Sequence, residues 1–367
     1  MRITRISLAN CRNYGEATIE PQAGLNLFLG RNAQGKSNLL EAIGLLGTGK
    51  SFRTSREAEI VREGYGLAAV SADAVVRSGN VTLGFTIARG ERTTRKTLTI
   101  NGRAVRYAHF LGKLRVVSFA PSDLALVVGA PGLRRAFLNL ALAQEQPSYY
   151  TALAMYTRTL RQKNALLRAG PPYDEALFAI YDRTMIERGA RMTLARAQYV
   201  HALSPHARAE HARWSAGEEL TLEYISAIGY RVGDDEPALQ ERFARALETA
   251  RQRERSRGVA LVGPHRDDLQ LSLDGRTLAE YGSQGQHRTA LLALKVAEYR
   301  AMAAATGEAP LLLLDDVLSE LDPERARRFL EGLGGFEQAF VTATHLEHAL
   351  PGAAAFSIEG ARVERTA

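Results

Sequence analysis

Apolar residues recur along this chain with two periods, and the change between them divides the sequence. Arg2 to Leu8 reads as an alternating strand with Ile3, Ile6 and Leu8 apolar. The run Leu25 to Leu29 predicts a short buried strand, after which Leu39, Leu40, Ile43 and Leu46 mark one side of a helix. Leu67 to Ile100 alternates, broken at Ser78-Gly79-Asn80 and at Arg89-Gly90-Glu91-Arg92, and predicts an antiparallel meander; Asn101-Gly102 is a hairpin turn. Val116 to Phe119 predicts another core strand, ended by Pro121-Ser122-Asp123. From about Leu133 the period shifts to three and four. Leu153, Tyr156, Leu160 and Leu167 form one stripe, and further helical segments are expected at 175–201 and 239–255, with strand-like Leu220 to Ile225 between them. Alternation returns at Val259 to Val262 and Leu269 to Leu273. A helix through Leu291, Leu294 and Ala297 follows, then apolar strands at Leu311 to Leu314 and Phe340 to Thr344.

The first predicted strand–helix pair encloses Gly30-Arg31-Asn32-Ala33-Gln34-Gly35-Lys36-Ser37, the pattern G-x-x-x-x-G-K-S, with Asn38 next. A glycine-rich loop between a buried strand and a helix lets backbone N–H groups curl round phosphate oxygens. Lys36 would reach the β/γ-phosphates of ATP and Ser37 would reach Mg2+. A second copy of the pattern, Gly44 to Ser51, is entered by a helix and has no sheet edge to hang from. It reads instead as a basic loop through Phe52, Arg53 and Arg56, either in contact with phosphate backbone or simply solvated. Arg12 and Asn13, in the break after the first strand, fit loop solvation and fit lying over a bound nucleotide.

Downstream, the strand at 311–314 ends in Asp315-Asp316, a Walker B pattern. Asp315 would hold Mg2+ opposite Ser37, and Asp316 would orient or deprotonate the attacking water. Roughly thirty residues earlier, Ser283-Gln284-Gly285-Gln286 opens a helix in the layout of an ABC signature, where a serine hydroxyl, a glycine amide and the helix dipole face the γ-phosphate held by another subunit. Asp322 before Pro323 reads as a helix N-cap and falls where the D-loop of such ATPases lies; His345, expected at the end of the last strand, falls at their switch histidine. No glutamine suits the Q-loop, and Asp123 is the substitute as a further metal-site residue.

Composition narrows the setting. The 367 residues carry a formal net charge of +7, which favours a polyanionic partner, and a single cysteine, Cys11, which excludes an internal disulfide and suits a reducing cytosol. No apolar run is long enough to span a bilayer, so a cytoplasmic protein without a membrane partner is expected.

On LANCRNY (8–14), GRNAQGKSNLLEAI (30–43), GTGKSFRT (47–54), VGPHRDDL (262–269), GSQGQ (282–286) and LLLLDDVLSELD (311–322), the sequence resembles the RecF family, SMC-like ABC ATPases of bacterial recombinational repair. The resemblance implies an α/β ABC-type P-loop ATPase head with an antiparallel β subdomain and an inserted α-helical arm without a long coiled coil. The head would comprise 1–130 and 255–367, and the arm 131–254. It also implies an ATP-dependent homodimer on double-stranded DNA or ds/ss DNA junctions, weak DNA-stimulated ATPase activity, and cooperation with RecR and RecO in loading RecA, in support of replication restart and the SOS response. Arg12 would match a nucleotide-contacting arginine. The alternative is the ATPase subunit of an ABC transporter, which would share the head motifs and need a transmembrane partner.

Overall fold

The computed structural model describes residues 1–367 except 91–92, 216, 318–328, 330–335, 345–351 and 367. The chain divides into two units, residues 1–123 with 295–367 and residues 124–294. In the first unit β1 (Arg2–Cys11) and β2 (Tyr14–Ile19) form a hairpin. β3 (Gly24–Leu29) then leads into α1 (Lys36–Thr48), and the meander β4 (Leu67–Val76), β5 (Gly79–Arg89), β6 (Thr94–Ile100) and β7 (Arg103–Val105) follows. Short α2 (Tyr107–Phe110) and β8 (Val116–Phe119) complete this stretch. Asn101 and Gly102 both take positive φ, 49° and 76°, as a tight two-residue hairpin turn requires. The second G-x-x-x-x-G-K-S lies mostly inside α1: Gly47 is a helix residue, and Gly49, at φ 62°, closes the helix by donating its N–H to Leu45 O.

The second unit holds α3 (Ala125–Val128), α4 (Pro131–Glu145), α5 (Pro147–Ala169), α6 (Glu175–Ala212), β9 (Leu220–Ile225), α7 (Glu236–Arg257), β10 (Asp268–Leu273), β11 (Arg276–Thr277), α8 (Leu278–Tyr281) and the start of α9 (Gln284–Thr306). Asp174 and Asp235 cap α6 and α7 by accepting from the N–H groups of Leu177 and Ala238. α6 is longer than expected. It runs past Ser204-Pro205 to Ala212, with Leu203, Ala207 and His211 buried on that last stretch. Val259 to Val262 is not a strand, because side chains take its backbone groups: Asn164 Oδ1 accepts from Ala260 N–H and Glu254 Oε1 from Leu261 N–H. β10 pairs antiparallel with β9 and β11 in a three-stranded sheet of its own. Residues 255–294 therefore group with the helices, where the sequence reading placed them in the head.

Arg196, 1% exposed on α6, organises this unit. It donates to Tyr149 Oη, Asn139 Oδ1 and Pro264 O at 3.0, 2.9 and 2.7 Å and pairs with Asp267 at 3.3 Å. Asp267 also accepts from Ala227 N–H at 2.8 Å and from the Tyr224 hydroxyl. The stretch VGPHRDDL is thus a turn wrapped round a buried guanidinium whose donors are met by fixed acceptors, the arrangement that makes burial of a charge tolerable. Burial and the surrounding positive charge of Arg266, Arg135 and Lys163 push the His265 imidazole down to about 4.

The chain returns to the first unit with the rest of α9, then β12 (Leu311–Asp315), β13 (Gln338–Ala343), β14 (Ala354–Glu359) and β15 (Arg362–Arg365). One sheet, β2-β1-β4-β5-β6-β7, is antiparallel throughout. The other, β15-β14-β3-β13-β12-β8, is parallel except for β15. The unbroken apolar run Leu311 to Leu314 of β12, and the largely apolar β3, whose buried Asn26 donates to Gln22 O, suit strands covered on both faces. α1 buries Leu39, Leu40, Ile43, Leu45 and Leu46 in the core shared with Phe28, Phe340 and Phe356.

Candidate nucleotide site

β3 and β12 flank β13, and register aligns their ends: Leu29 lies opposite Ala343, and Asp315 opposite Thr342. A ligand of an open parallel sheet sits at the carboxyl ends of its strands. Here that edge carries a cavity of about 330 Å3 lined by Asn32, Ala33, Gly35, Lys36, Ser37, Asn38, Arg53, Asp316 and Thr342. Gly35 needs its missing Cβ, since at φ 120° a methyl would meet Asn13 Nδ2 at 2.8 Å and Tyr14 Oη at 2.9 Å. The loop is braced from outside. Asn13 Nδ2 donates to Gln34 O at 3.1 Å, the Tyr14 hydroxyl to Gly35 O at 3.1 Å, and Gly360 N–H to Gln34 Oε1 at 2.7 Å.

Within the cavity Lys36 Nζ donates to Gly30 O at 2.5 Å and Arg31 O at 3.0 Å, so its ammonium rests at the mouth of the loop. Ser37 Oγ donates to Asp315 Oδ1 at 2.7 Å. Thr342 Oγ1 donates to the same carboxylate oxygen at 2.9 Å and accepts from Asp316 N–H at 2.8 Å. Asp316 takes φ 55°. These donors fit Mg2+, a hard cation that takes one or two protein oxygens and fills its octahedron with phosphate and water. Among the described residues no cluster of three or more His, Cys, Asp or Glu could hold a metal by itself.

Several expected contacts lie elsewhere. Arg12, at φ 54°, does not line the cavity. Its guanidinium meets Glu41 of α1 with both prongs, at 2.8 and 2.7 Å, and reaches Glu59 O at 2.8 Å. The hydrogen bond to Glu41 raises the Arg12 pKa further, while burial, with Glu41 beside it, pushes the Cys11 thiol up to about 12. Asp123 is also outside the cavity lining. Its carboxylate closes its own turn by accepting from Ala120 N–H at 3.0 Å, and it lies in the field of buried Lys295. Arg31 is exposed on the loop rim. Asp322 and His345 lie outside the described residues.

Arg53, read from sequence as a candidate for phosphate-backbone contact, lines the cavity instead, donating to Asn38 Oδ1 at 2.5 Å with Glu41 at 3.8 Å. Thr342 and Glu41 went unnoticed because a threonine inside an apolar strand and a glutamate inside a helix carry no motif. In the second unit, Ser283 and Gln286 form a reciprocal capping box. Ser283 Oγ accepts from Gln286 N–H at 3.3 Å, and Gln286 Oε1 accepts from Ser283 N–H at 2.7 Å. Gln286 Nε2 donates to Glu218 Oε1 at 2.6 Å. Ser283, Gln284 and Gly285 are exposed.

The chain matches the family described as RecF/RecN/SMC N terminal domain over residues 2–359. It is similar to the DNA replication and repair protein RecF of Symbiobacterium thermophilum, 45% identical over 95% of this chain and 92% of that one. It is also similar to RecF of Rippkaea orientalis, 39% identical over 94% of each. Among solved structures it resembles the recombination mediator protein RecF-ATP in the RecFOR pathway, with a TM-score of 0.93 and 32% identity over 100% of this chain and 97% of that one. An SMC head bound to the C-winged helix domain of ScpA shares the fold at a TM-score of 0.56 and 15% identity, over 100% of this chain and 97% of that one. A family match over residues 2–359, with relatives 45% and 39% identical over nearly their whole length, shows that this chain belongs to the RecF family.

Proposed function

We propose that this protein is an ATP-gated DNA clamp of recombinational repair, in which two copies close on Mg-ATP, hold duplex DNA or a ds/ss junction at a gap, and release it on slow hydrolysis. The observation that carries the reading is the 2.7 Å contact that joins Ser37, in the lining of the P-loop cavity, to Asp315. Lys36 exchanges its carbonyl partners for the β/γ-phosphates. Ser37 and Asp315 would hold Mg2+, which would supply charge neutralisation on the phosphates. Asp316 orients the attacking water. Arg53 lies against the phosphates from the basic loop after α1. Arg12 is a brace rather than a nucleotide contact.

The exposed cap Ser283–Gln286 of one copy meets the γ-phosphate of the other, with Asp322 and His345 in the D-loop and switch roles. RecR and RecO are the partners, leading to RecA, in the cytoplasm; no single described helix is long and apolar enough to cross a membrane. Asp316 is one methylene shorter than a glutamate would be at the same place, so turnover falls below the roughly 1–100 s⁻¹ of phosphoryl-transfer kinases.

The test is retention on gapped duplex DNA with and without ATP across a salt series. A clamp that neutralises about six phosphates loses about three decades of affinity between 50 and 200 mM salt, and retention requires ATP. Retention indifferent to ATP would overturn the gating. Absence of binding at any salt would favour the transporter alternative.

A further inference from the structure

We infer that Thr342 is a positioning residue of the ATP site, its hydroxyl holding the Walker B carboxylate and the backbone of the following residue as one unit. The inference rests on the ATPase reading of this cavity and adds a residue that no sequence motif marks. Thr342 is fully buried, yet it is among the residues that line the cavity. Its single O–H points to Asp315 Oδ1 at 2.9 Å, which leaves a lone pair for Asp316 N–H at 2.8 Å.

The strand ladder explains why a hydroxyl is needed. Asp315 opposite Thr342 is the last paired position of β12 and β13. The next N–H, that of Asp316, is taken by the threonine side chain rather than by a strand carbonyl. Asp316 turns there into the left-handed region at φ 55°, a conformation L-residues seldom adopt and Asp tolerates better than most. Its side chain thereby reaches the cavity lining.

Asp315 Oδ1 meanwhile has two hydroxyl donors, Ser37 at 2.7 Å and Thr342 at 2.9 Å. Were Ser37 to turn to a bound cation, Thr342 would remain to hold the carboxylate plane. The aspartate proposed to serve the cation and the aspartate proposed to serve the water are thus set by one hydroxyl on β13.

The test compares Thr342→Val, which keeps the shape and removes the hydroxyl, with Thr342→Ser, which keeps the hydroxyl. Binding of a fluorescent ATP analogue is followed in EDTA and through a Mg2+ titration, beside steady-state hydrolysis. T342V is expected to bind the analogue in EDTA as the parent does, but to need about 10–100-fold more Mg2+ for half-maximal gain in affinity and to hydrolyse ATP slower by a similar factor, as outer partners of metal ligands generally do. T342S should restore both. An unshifted Mg2+ midpoint in T342V overturns the inference, as does a T342S variant as defective as T342V, because packing alone would then account for the effect. Thr342→Ala carries the same expectation and decides the matter should T342V fail to fold. Asp316→Asn serves as the control: if it hydrolyses normally, the ATPase assignment of Asp316 fails, while the Mg2+ midpoint of T342V still decides the role of Thr342.

Discussion

Glu41→Gln removes one charge from a carboxylate that serves two arginines beside the phosphate cavity. The side chain of Glu41 is 1% exposed on α1 and accepts both prongs of Arg12 at 2.8 and 2.7 Å, the Ser51 hydroxyl, and the field of Arg53 at 3.8 Å. Glutamine keeps the shape and one acceptor but turns an NH2 group toward a guanidinium nitrogen, so one charge-assisted hydrogen bond is lost. That costs about 1.5–3 kcal/mol. Glu41→Ala, which strands the guanidinium altogether, falls at the lower end of about 3–5 kcal/mol because Arg12 keeps some access to solvent. For a unit of this size the Gln change lowers the melting transition by about 3–12 °C, at about 2–4 °C per kcal/mol. Scanning calorimetry of E41Q, Arg12→Met and the double variant reads the coupling directly. Once one partner has gone, removing the other should cost little, so the cycle should show a coupling of at least about 1 kcal/mol. Additivity within about 0.5 kcal/mol would refute the pairing and return Arg12 to the role of a free nucleotide contact.

Three further outcomes follow from particular contacts. Gly47→Ala places a Cβ 1.8 Å from Val116 Cγ2 and 3.2 Å from Leu114 O, so stability should drop by about 1–3 kcal/mol, or more if the strand cannot yield. ATP affinity, measured by titration calorimetry below the melting range, should stay unchanged; a lost affinity would mean the second glycine motif does cradle phosphate. His265, held near 4 in the folded protein against an ordinary 6.5, leaves the unfolded chain binding the extra proton between those values. Stability present above about pH 6.5 should therefore fall as pH drops toward 4, and urea titrations of His265→Gln at pH 7 and pH 5 should show a smaller decline than the parent. Ser283→Arg should bind ATP normally yet sediment as a monomer with ATP if, as proposed, the capping box is the surface offered to a second copy; an unaltered dimer fraction would count against that surface.

The helix α1, the meander, the strand end that carries Asp315 and the helix start at Ser283 were all legible, because each has local chemistry: a glycine-rich loop between strand and helix, an alternating face, a small polar glycine-containing helix start. What escaped depends on register or on side chains far apart in sequence. Arg53 reaches the phosphate cavity because α1 ends at Gly49 and the following loop turns back to Asn38. Thr342 matters only because β12 and β13 end together. Val259 to Val262 has strand-like spacing, but Asn164 and Glu254 take its backbone groups first. The helix through Pro205 outran its periodicity because burial of Ala207 and His211 outweighed a residue that ordinarily breaks a helix.

Two copies sharing one triphosphate is the claim on which the functional reading turns, and hydrolysis per protomer measured over a dilution series at saturating Mg-ATP tests it most directly. Specific activity should fall as the protein is diluted below its dimerisation range, and S283R should be inactive at every concentration. A specific activity that stays constant on dilution, in the parent and in S283R alike, would contradict it.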